Sequence, residues 1–201
     1  MLTYALAVLV RLAPVSVRLF FTSSLLVCCF GAASAASAEG IQVKFAELEL
    51  VEENSYQVNA EFEINLSARL EEAIIKGVPV SFVVEFGVIK PRWYWLDEEI
   101  VKAQQVLKLS YNALTRQYQL SAGPLHKNFS SLAEAKSELG KVHEWAVFDR
   151  ALFKKRNLTG YEAILRMRLD VSQLPKPLQV NALASKEWNL DSEWYRWPLT
   201  P

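Results

Sequence analysis

Residues 56–66 alternate between apolar and polar side chains without interruption. The apolar positions are Tyr56, Val58, Ala60, Phe62, Ile64 and Leu66, and every residue between them is polar. Only a β-strand with one buried and one exposed face has this period of two residues. The segment therefore predicts a half-buried strand, and its apolar face needs a second layer of structure to cover it.

Further strands are predicted on both sides of this segment. Residues 41–50 also alternate, but the phase changes between Phe45 and Leu48, which indicates a β-bulge. Residues 52–55, Glu-Glu-Asn-Ser, supply the turn of a hairpin. Residues 78–89 are apolar at every even position and at several odd ones, which favours a central strand.

The second half of the chain continues the β pattern. Residues 101–111 and 118–120 predict two strands of a hairpin around a turn at 112–115. Residues 161–170 alternate cleanly, and the prolines at 175 and 177 end that strand because they lack a hydrogen-bond donor. The aromatic tail at 188–197 predicts a final strand.

Two short helices interrupt the strands. Ser67 can cap a helix over residues 68–76, and Gly77 supplies a left-handed stop. The capping box Ser131-Leu132-Ala133-Glu134 opens a helix over residues 132–142, in which Gly140 costs about 1 kcal/mol relative to alanine. The predicted fold is mainly β: an antiparallel, sandwich-like domain of about seven strands with two short helices.

The first 38 residues have the order of a secretory leader. Arg11 and Arg18 are the only charged residues before Glu39, a largely apolar run covers residues 19–30, and Ala36-Ser37-Ala38 matches a cleavage site of small residues. We expect cleavage after Ala38, which leaves a single domain over residues 39–201 in the periplasm. The alternative is an inner-membrane protein that is anchored by an uncleaved leader.

Composition argues against several kinds of chemistry. Both cysteines, Cys28 and Cys29, lie in the leader, so the processed chain has neither a disulfide nor a thiol. The 22 basic residues balance 22 acidic ones, which argues against nucleic acid or anionic lipid as a main partner, and contact with a membrane is expected only through an uncleaved leader. His126 and His143 are the only histidines, and their spacing favours surface residues over metal ligands. No cofactor and no catalytic residue are predicted.

The candidate binding residues concentrate in the stretch KPRWYWLDEE at 90–99. One interpretation is an exposed aromatic shelf that binds an envelope protein, a peptide or a glycan. Its residues would be Arg92, Trp93, Tyr94 and Trp95, together with Trp194 and Trp197 of the tail. The other interpretation is core packing, and we expect at least one of Trp93 and Trp95 to be buried because an uncovered aromatic row invites aggregation.

Three carboxylates follow the aromatic row. Asp97, Glu98 and Glu99 are weak candidates for a cation site, because three successive side chains point in different directions. A solvated edge or the start of a helical turn is the favoured interpretation. Arg92 is expected to stack on an aromatic ring or to pair with one of these carboxylates.

Four sets of short motifs are distinctive in combination. They are Lys76-Gly77-Val78-Pro79, Arg92-Trp93-Tyr94-Trp95 followed by Asp97-Glu98, Leu109-Ser110-Tyr111 with Leu114-Thr115-Arg116-Gln117-Tyr118, and Leu169-Asp170 with Leu174-Pro175-Lys176-Pro177. Together they resemble an uncharacterised proteobacterial family, domain of unknown function 4390. The resemblance implies an exported envelope protein without an assigned activity, and it hints at a regulatory role beside membrane sensor kinases. Asn112 departs from the family pattern, which has a histidine there.

Two classes of function remain open. The favoured class is a non-enzymatic binding or interaction module of the envelope, which needs a surface and no nucleophile. The alternative is an envelope sugar or peptide hydrolase, for which the chain offers only carboxylates such as Asp97, Glu98, Glu99 and Asp170. Two of them would have to converge in a cleft.

Overall fold

The structure is a computed structural model that describes residues 40–51, 55–153 and 159–199. The predicted leader and residues 52–54 of the predicted turn at 52–55 lie outside the described residues, and Ser55 is the first residue of a strand. Within the described part, the strands are β1 (Gly40–Val51), β2 (Ser55–Asn65), β3 (Val80–Lys90), β4 (Glu98–Asn112), β5 (Gln117–Ala122), β6 (Leu125–Phe129), β7 (Lys141–Asp149), β8 (Glu162–Leu169) and β9 (Tyr195–Pro198). The helices are α1 (Ala68–Ile75), α2 (Leu132–Leu139) and α3 (Lys176–Ala184), with short 3-10 turns at Arg150–Phe153, Val171–Gln173 and Lys186–Trp188.

The strands form two antiparallel sheets. The small sheet has the order β1-β2-β7, and the large sheet has the order β6-β5-β4-β3-β8-β9. Phe86 of β3 packs within 6.3 Å of Phe148 and 6.5 Å of Trp145 on β7, measured between ring centroids. The two sheets therefore face each other across one apolar core, and the predicted mainly β, sandwich-like fold is confirmed.

The burial pattern of β2 agrees with the alternation in its sequence. Val58, Ala60, Phe62 and Ile64 are buried, and the polar residues between them are more exposed. β1 pairs with β2 and carries the predicted bulge, although the register shifts between Val43 and Phe45, slightly earlier than expected. β3 lies between β4 and β8 at the centre of the large sheet, as its continuous apolar sequence predicts.

Both predicted helices are present. The Ser67 hydroxyl accepts a hydrogen bond from the Leu70 amide at 3.3 Å, and the chain leaves α1 through Gly77 with φ 83°. The Ser131 hydroxyl accepts from the Glu134 amide at 3.2 Å and caps α2 in the same way. Leu70, Ala73 and Ile74 form the buried face of α1.

Four parts of the fold differ from the sequence predictions. The tail that was predicted as a strand over residues 188–197 forms a strand only as β9 (Tyr195–Pro198), and Trp188 lies in a 3-10 turn. α2 ends at Leu139 instead of continuing to Val142, and the chain turns directly into β7, a strand that the sequence analysis did not identify. β6 was also missed. The prolines at 175 and 177 do not end β8, which already stops at Leu169 before the 3-10 turn at Val171–Gln173. They lie at the start of α3, because proline is well suited to the first turn of a helix.

Candidate functional site

The stretch 90–99 forms the connection between the two central strands of the large sheet. β3 and β4 remain paired as far as Lys90 and Glu98, and residues 91–97 make a loop beyond the sheet. Pro91 has no amide hydrogen and therefore cannot continue the ladder. Residues 91–97 are called the aromatic loop below.

Four consecutive apolar side chains of the aromatic loop are exposed to solvent. Their exposed fractions are 95% for Trp93, 66% for Tyr94, 71% for Trp95 and 81% for Leu96. The prediction that Trp93 or Trp95 lies in the core is wrong. It rested on the argument that an uncovered aromatic row invites aggregation, whereas β3 ends at Lys90 and no residue of the aromatic loop belongs to the core.

Ion pairs hold the base of the aromatic loop. Arg92 pairs with Glu98 through its guanidinium group, and its backbone amide lies 3.4 Å from the Asp97 carboxylate. Asp97 also pairs with Arg196 of β9 at 3.3 Å, which ties the loop to the far edge of the large sheet. The predicted pairing of Arg92 with a following carboxylate is confirmed.

The acidic run therefore has a structural role in the loop. Glu99 completes it with a weaker contact to Lys102 at 3.7 Å, and each of the three carboxylates thus has its own basic partner. Glu98 and Glu99 belong to β4 and do not start a helical turn. Each of the three carboxylates therefore contacts a different basic side chain, and the three do not converge on one point.

The two tryptophans of the tail lie in different environments. Trp197 pairs with Ala163 and lies 6.3 Å from the Phe86 ring, so it is partly buried against the core. Trp194 lies just before β9 and stacks on the guanidinium of Arg166 at 4.3 Å. The structure therefore brings Arg92, Trp93, Tyr94 and Trp95 together in the aromatic loop and places the tail tryptophans elsewhere.

A charged cluster that sequence analysis missed lies on the outer face of the large sheet. Glu85 is only 7% exposed, and its carboxylate accepts from Arg166 at 2.5 Å and from Arg168 at 3.1 Å. Gln104 also donates to it at 3.3 Å. Burial alone would raise the pKa of Glu85, but hydrogen bonds from the two arginines outweigh burial and lower it. The only sequence signal was a single acidic residue inside the apolar run at 78–89.

The two histidines are on strands at the surface. His126 lies on β6 and contacts the Ser121 hydroxyl at 2.8 Å, and His143 lies on β7. His143 borders an open depression of about 640 Å³ on the small sheet, which is also lined by Glu47, Glu49, Glu61 and Glu144 among others. These carboxylate side chains lie at the solvent boundary of the small sheet, outside the apolar core.

Together, these features define an antiparallel two-sheet domain with one protruding aromatic loop. The sequence profile described as Domain of unknown function (DUF4390) matches residues 38–198, which is most of the chain. The chain belongs to this family, as the motifs at 76–79 and 92–98 indicate. No curated protein and no solved structure shows significant similarity to this chain.

Proposed function

We propose that the chain is a non-enzymatic binding module of the bacterial cell envelope, which the N-terminal leader exports. The order of charge, apolar run and small residues before Glu39 supports export. Within residues 40–51, 55–153 and 159–199, no helix has the length and apolar character needed to cross a bilayer. A regulatory role beside a membrane sensor kinase is one form that such a module could take.

The exposure of Trp93 and Trp95 is the observation that carries this proposal. Fully burying an aromatic side chain removes roughly 150–250 Å² from water, so leaving two tryptophans exposed forgoes a large hydrophobic stabilisation. Monomeric proteins rarely expose contiguous apolar patches that serve no interaction. Tryptophan, tyrosine and arginine are also the residues that dominate binding energy at interfaces. Arg92, Trp93, Tyr94 and Trp95 are therefore the proposed binding residues.

The enzyme class receives less support. Asp97, Glu98 and Glu99 are each paired with a basic side chain, and Asp170 accepts from the Ser172 amide at 3.1 Å as the cap of a 3-10 turn. The depression beside His143 gathers several carboxylates, but it is open to water. A general acid at neutral pH needs a carboxyl in a desolvated site, which raises its pKa. No pair of these groups is held in such a site.

A double substitution in the aromatic loop tests the proposed function. We expect Trp93→Ser with Trp95→Ser to leave the melting temperature almost unchanged, because exposed side chains contribute little to stability. The variant should fail to co-purify with the envelope components that the unaltered protein retains. Leu114→Ser is the matched control, since Leu114 is 96% exposed but lies in the turn at the other end of β4.

Two results would contradict the proposal. If the double variant unfolds at a much lower temperature, the tryptophans are part of the core and do not form a surface. If it is stable and retains the same envelope components as the Leu114→Ser control, the binding surface lies elsewhere. Loss of binding in both variants would point to a general effect of removing apolar surface.

A further inference from the structure

The exposure of the aromatic loop restricts what can cover it. Residues 93–96 are four consecutive residues, and each is exposed by about two thirds of its surface or more, with Tyr94 the lowest at 66%. A fluid phase can surround a loop that is exposed to this extent without a partner surface shaped to fit it.

The loop offers a sugar no extended platform and few polar groups. The rings of Trp93 and Tyr94 lie 5.3 Å apart with an interplanar angle of 73°, so they pack edge to face and form no shared flat surface. Such a ligand would also need converging polar groups to fix its orientation, and residues 93–96 supply only the tyrosine hydroxyl and the two indole N–H groups as polar side-chain groups.

The charges around the loop are arranged so that the tip is neutral. Residues 93–96 carry no charge. Below them, Arg92 pairs with Glu98, Arg196 pairs with Asp97, and Lys90 lies 5.6 Å from the centre of the Tyr161 ring. Moving an unpaired charge from water towards a low-dielectric phase costs free energy, and an ion pair between opposite charges reduces that cost. The tip can therefore approach a hydrocarbon boundary without carrying an isolated carboxylate with it.

We propose that the aromatic loop inserts into the interfacial region of a lipid bilayer. This inference rests on the proposed function, in which the loop is the binding surface, and assigns lipid as its ligand. Tryptophan and tyrosine are enriched at membrane–water interfaces because each has an apolar ring and a polar group. Trp93, Tyr94 and Trp95 would occupy the headgroup boundary, and Leu96 would contact the acyl chains. The loop docks the domain on the membrane and does not span it.

Vesicle binding by the processed, purified protein tests the inference. We expect the unaltered protein to float with phosphatidylcholine vesicles. Phosphatidylglycerol should increase the bound fraction little, because Arg92 and Arg196 at the base of the loop are already paired with carboxylates. Replacing Trp93, Trp95 and Leu96 together by serine should weaken partitioning roughly tenfold or more. Leu114→Ser should partition like the unaltered protein.

Fluorescence locates the inserted residues independently of the amount bound. Lipids brominated near the headgroup should quench part of the tryptophan emission of the bound protein. That quenching should disappear when Trp93 and Trp95 are replaced by phenylalanine, although this variant should still bind. The remaining described tryptophans, Trp145, Trp188, Trp194 and Trp197, should be unaffected by the brominated lipid because they lie outside the loop.

The contrary outcomes separate the two proposals. If the protein ignores vesicles but the serine variant loses an envelope protein or glycan that the control retains, the lipid inference is overturned and the proposed function stands. If vesicle binding requires phosphatidylglycerol and survives the serine substitutions, another surface binds lipid and the inference is also overturned. If the loop substitutions change neither vesicle binding nor capture of envelope components, both proposals fail.

Discussion

At the scale of single residues, Glu85 shows how a charge can be accommodated in a nearly continuous apolar strand. Its neighbours in β3 are buried, and the carboxylate is almost covered by Arg166 and Arg168 on β8. Trp194 packs on Arg166 and restricts that side chain further. The cluster lies on the outer face of the large sheet, so it stabilises the pairing of β3 with β8 without entering the core between the sheets.

Replacing Glu85 by glutamine should destabilise the fold. Removing one partner of a buried ion pair costs about 3–5 kcal/mol when both groups are fully buried, and we expect about 2–4 kcal/mol because the arginines are partly exposed. Denaturant unfolding at neutral pH measures the change. Glu63→Gln, which removes the exposed pair with Lys44, is the matched control and should change the free energy of unfolding far less.

The effect of Glu85→Gln should depend on pH. Because the pKa of Glu85 is lower in the folded state, its contribution to stability is complete above the ordinary glutamate pKa of about 4.3 and is lost as the pH falls through the lowered value. The difference in stability between the two proteins should therefore shrink in acid. A difference that stays constant, or grows, between neutral and acidic pH would show that the arginines do not stabilise the charged carboxylate.

At the scale of secondary structure elements, the junction between α2 and β7 depends on Gly140. The sequence suggests only that this glycine weakens the last turn of α2. In the structure its φ is −73°, which any residue can adopt, so backbone freedom does not explain it. A Cβ atom at this position would lie 2.3 Å from the Phe62 carbonyl oxygen of β2. Gly140 therefore permits the close approach of α2 to the small sheet.

Gly140→Ala should destabilise the protein despite the better helix propensity of alanine. Propensity alone predicts a gain of up to about 1 kcal/mol, but relieving the contact with β2 should produce a net loss of about 1–3 kcal/mol. The hydrogen bond from the Phe62 amide to the Gly140 carbonyl, now 2.7 Å, would be displaced as well. Ser137→Ala, at an exposed position of the same helix, is the control and should be neutral or slightly stabilising. A gain in stability from Gly140→Ala would contradict this account of the junction.

The elements that sequence patterns predict are those with local signals. The uninterrupted alternation of β2 and the Ser67 cap of α1 can each be recognised from a few neighbouring residues of the sequence. β7 was missed because bulges interrupt its pairing with β2, so the alternation is lost. The aromatic loop was misplaced because apolar composition indicates burial on average, whereas these residues follow the end of β3. The Glu85 cluster joins residues far apart in sequence, which no local pattern reveals.

At the scale of the whole molecule, the two sheets act as a support that presents one loop. The sandwich buries the apolar faces of β2, β3 and β8 in a single core. The aromatic loop projects from its two central strands and is braced by Arg196 from the edge strand. This arrangement places a small apolar surface on a rigid base, which limits the entropy that ordering the loop would cost on binding.

The central claim is that the protein makes its functional contact through the aromatic loop. The most direct measurement is site-specific photocrosslinking in intact cells, with a photoreactive phenylalanine analogue at Tyr94 or, as the control, at the more exposed Leu114. The account predicts strong crosslinks to an envelope component, lipid included, from position 94 and only background from position 114. Background crosslinking from position 94, with the protein folded and present in the envelope, would contradict it.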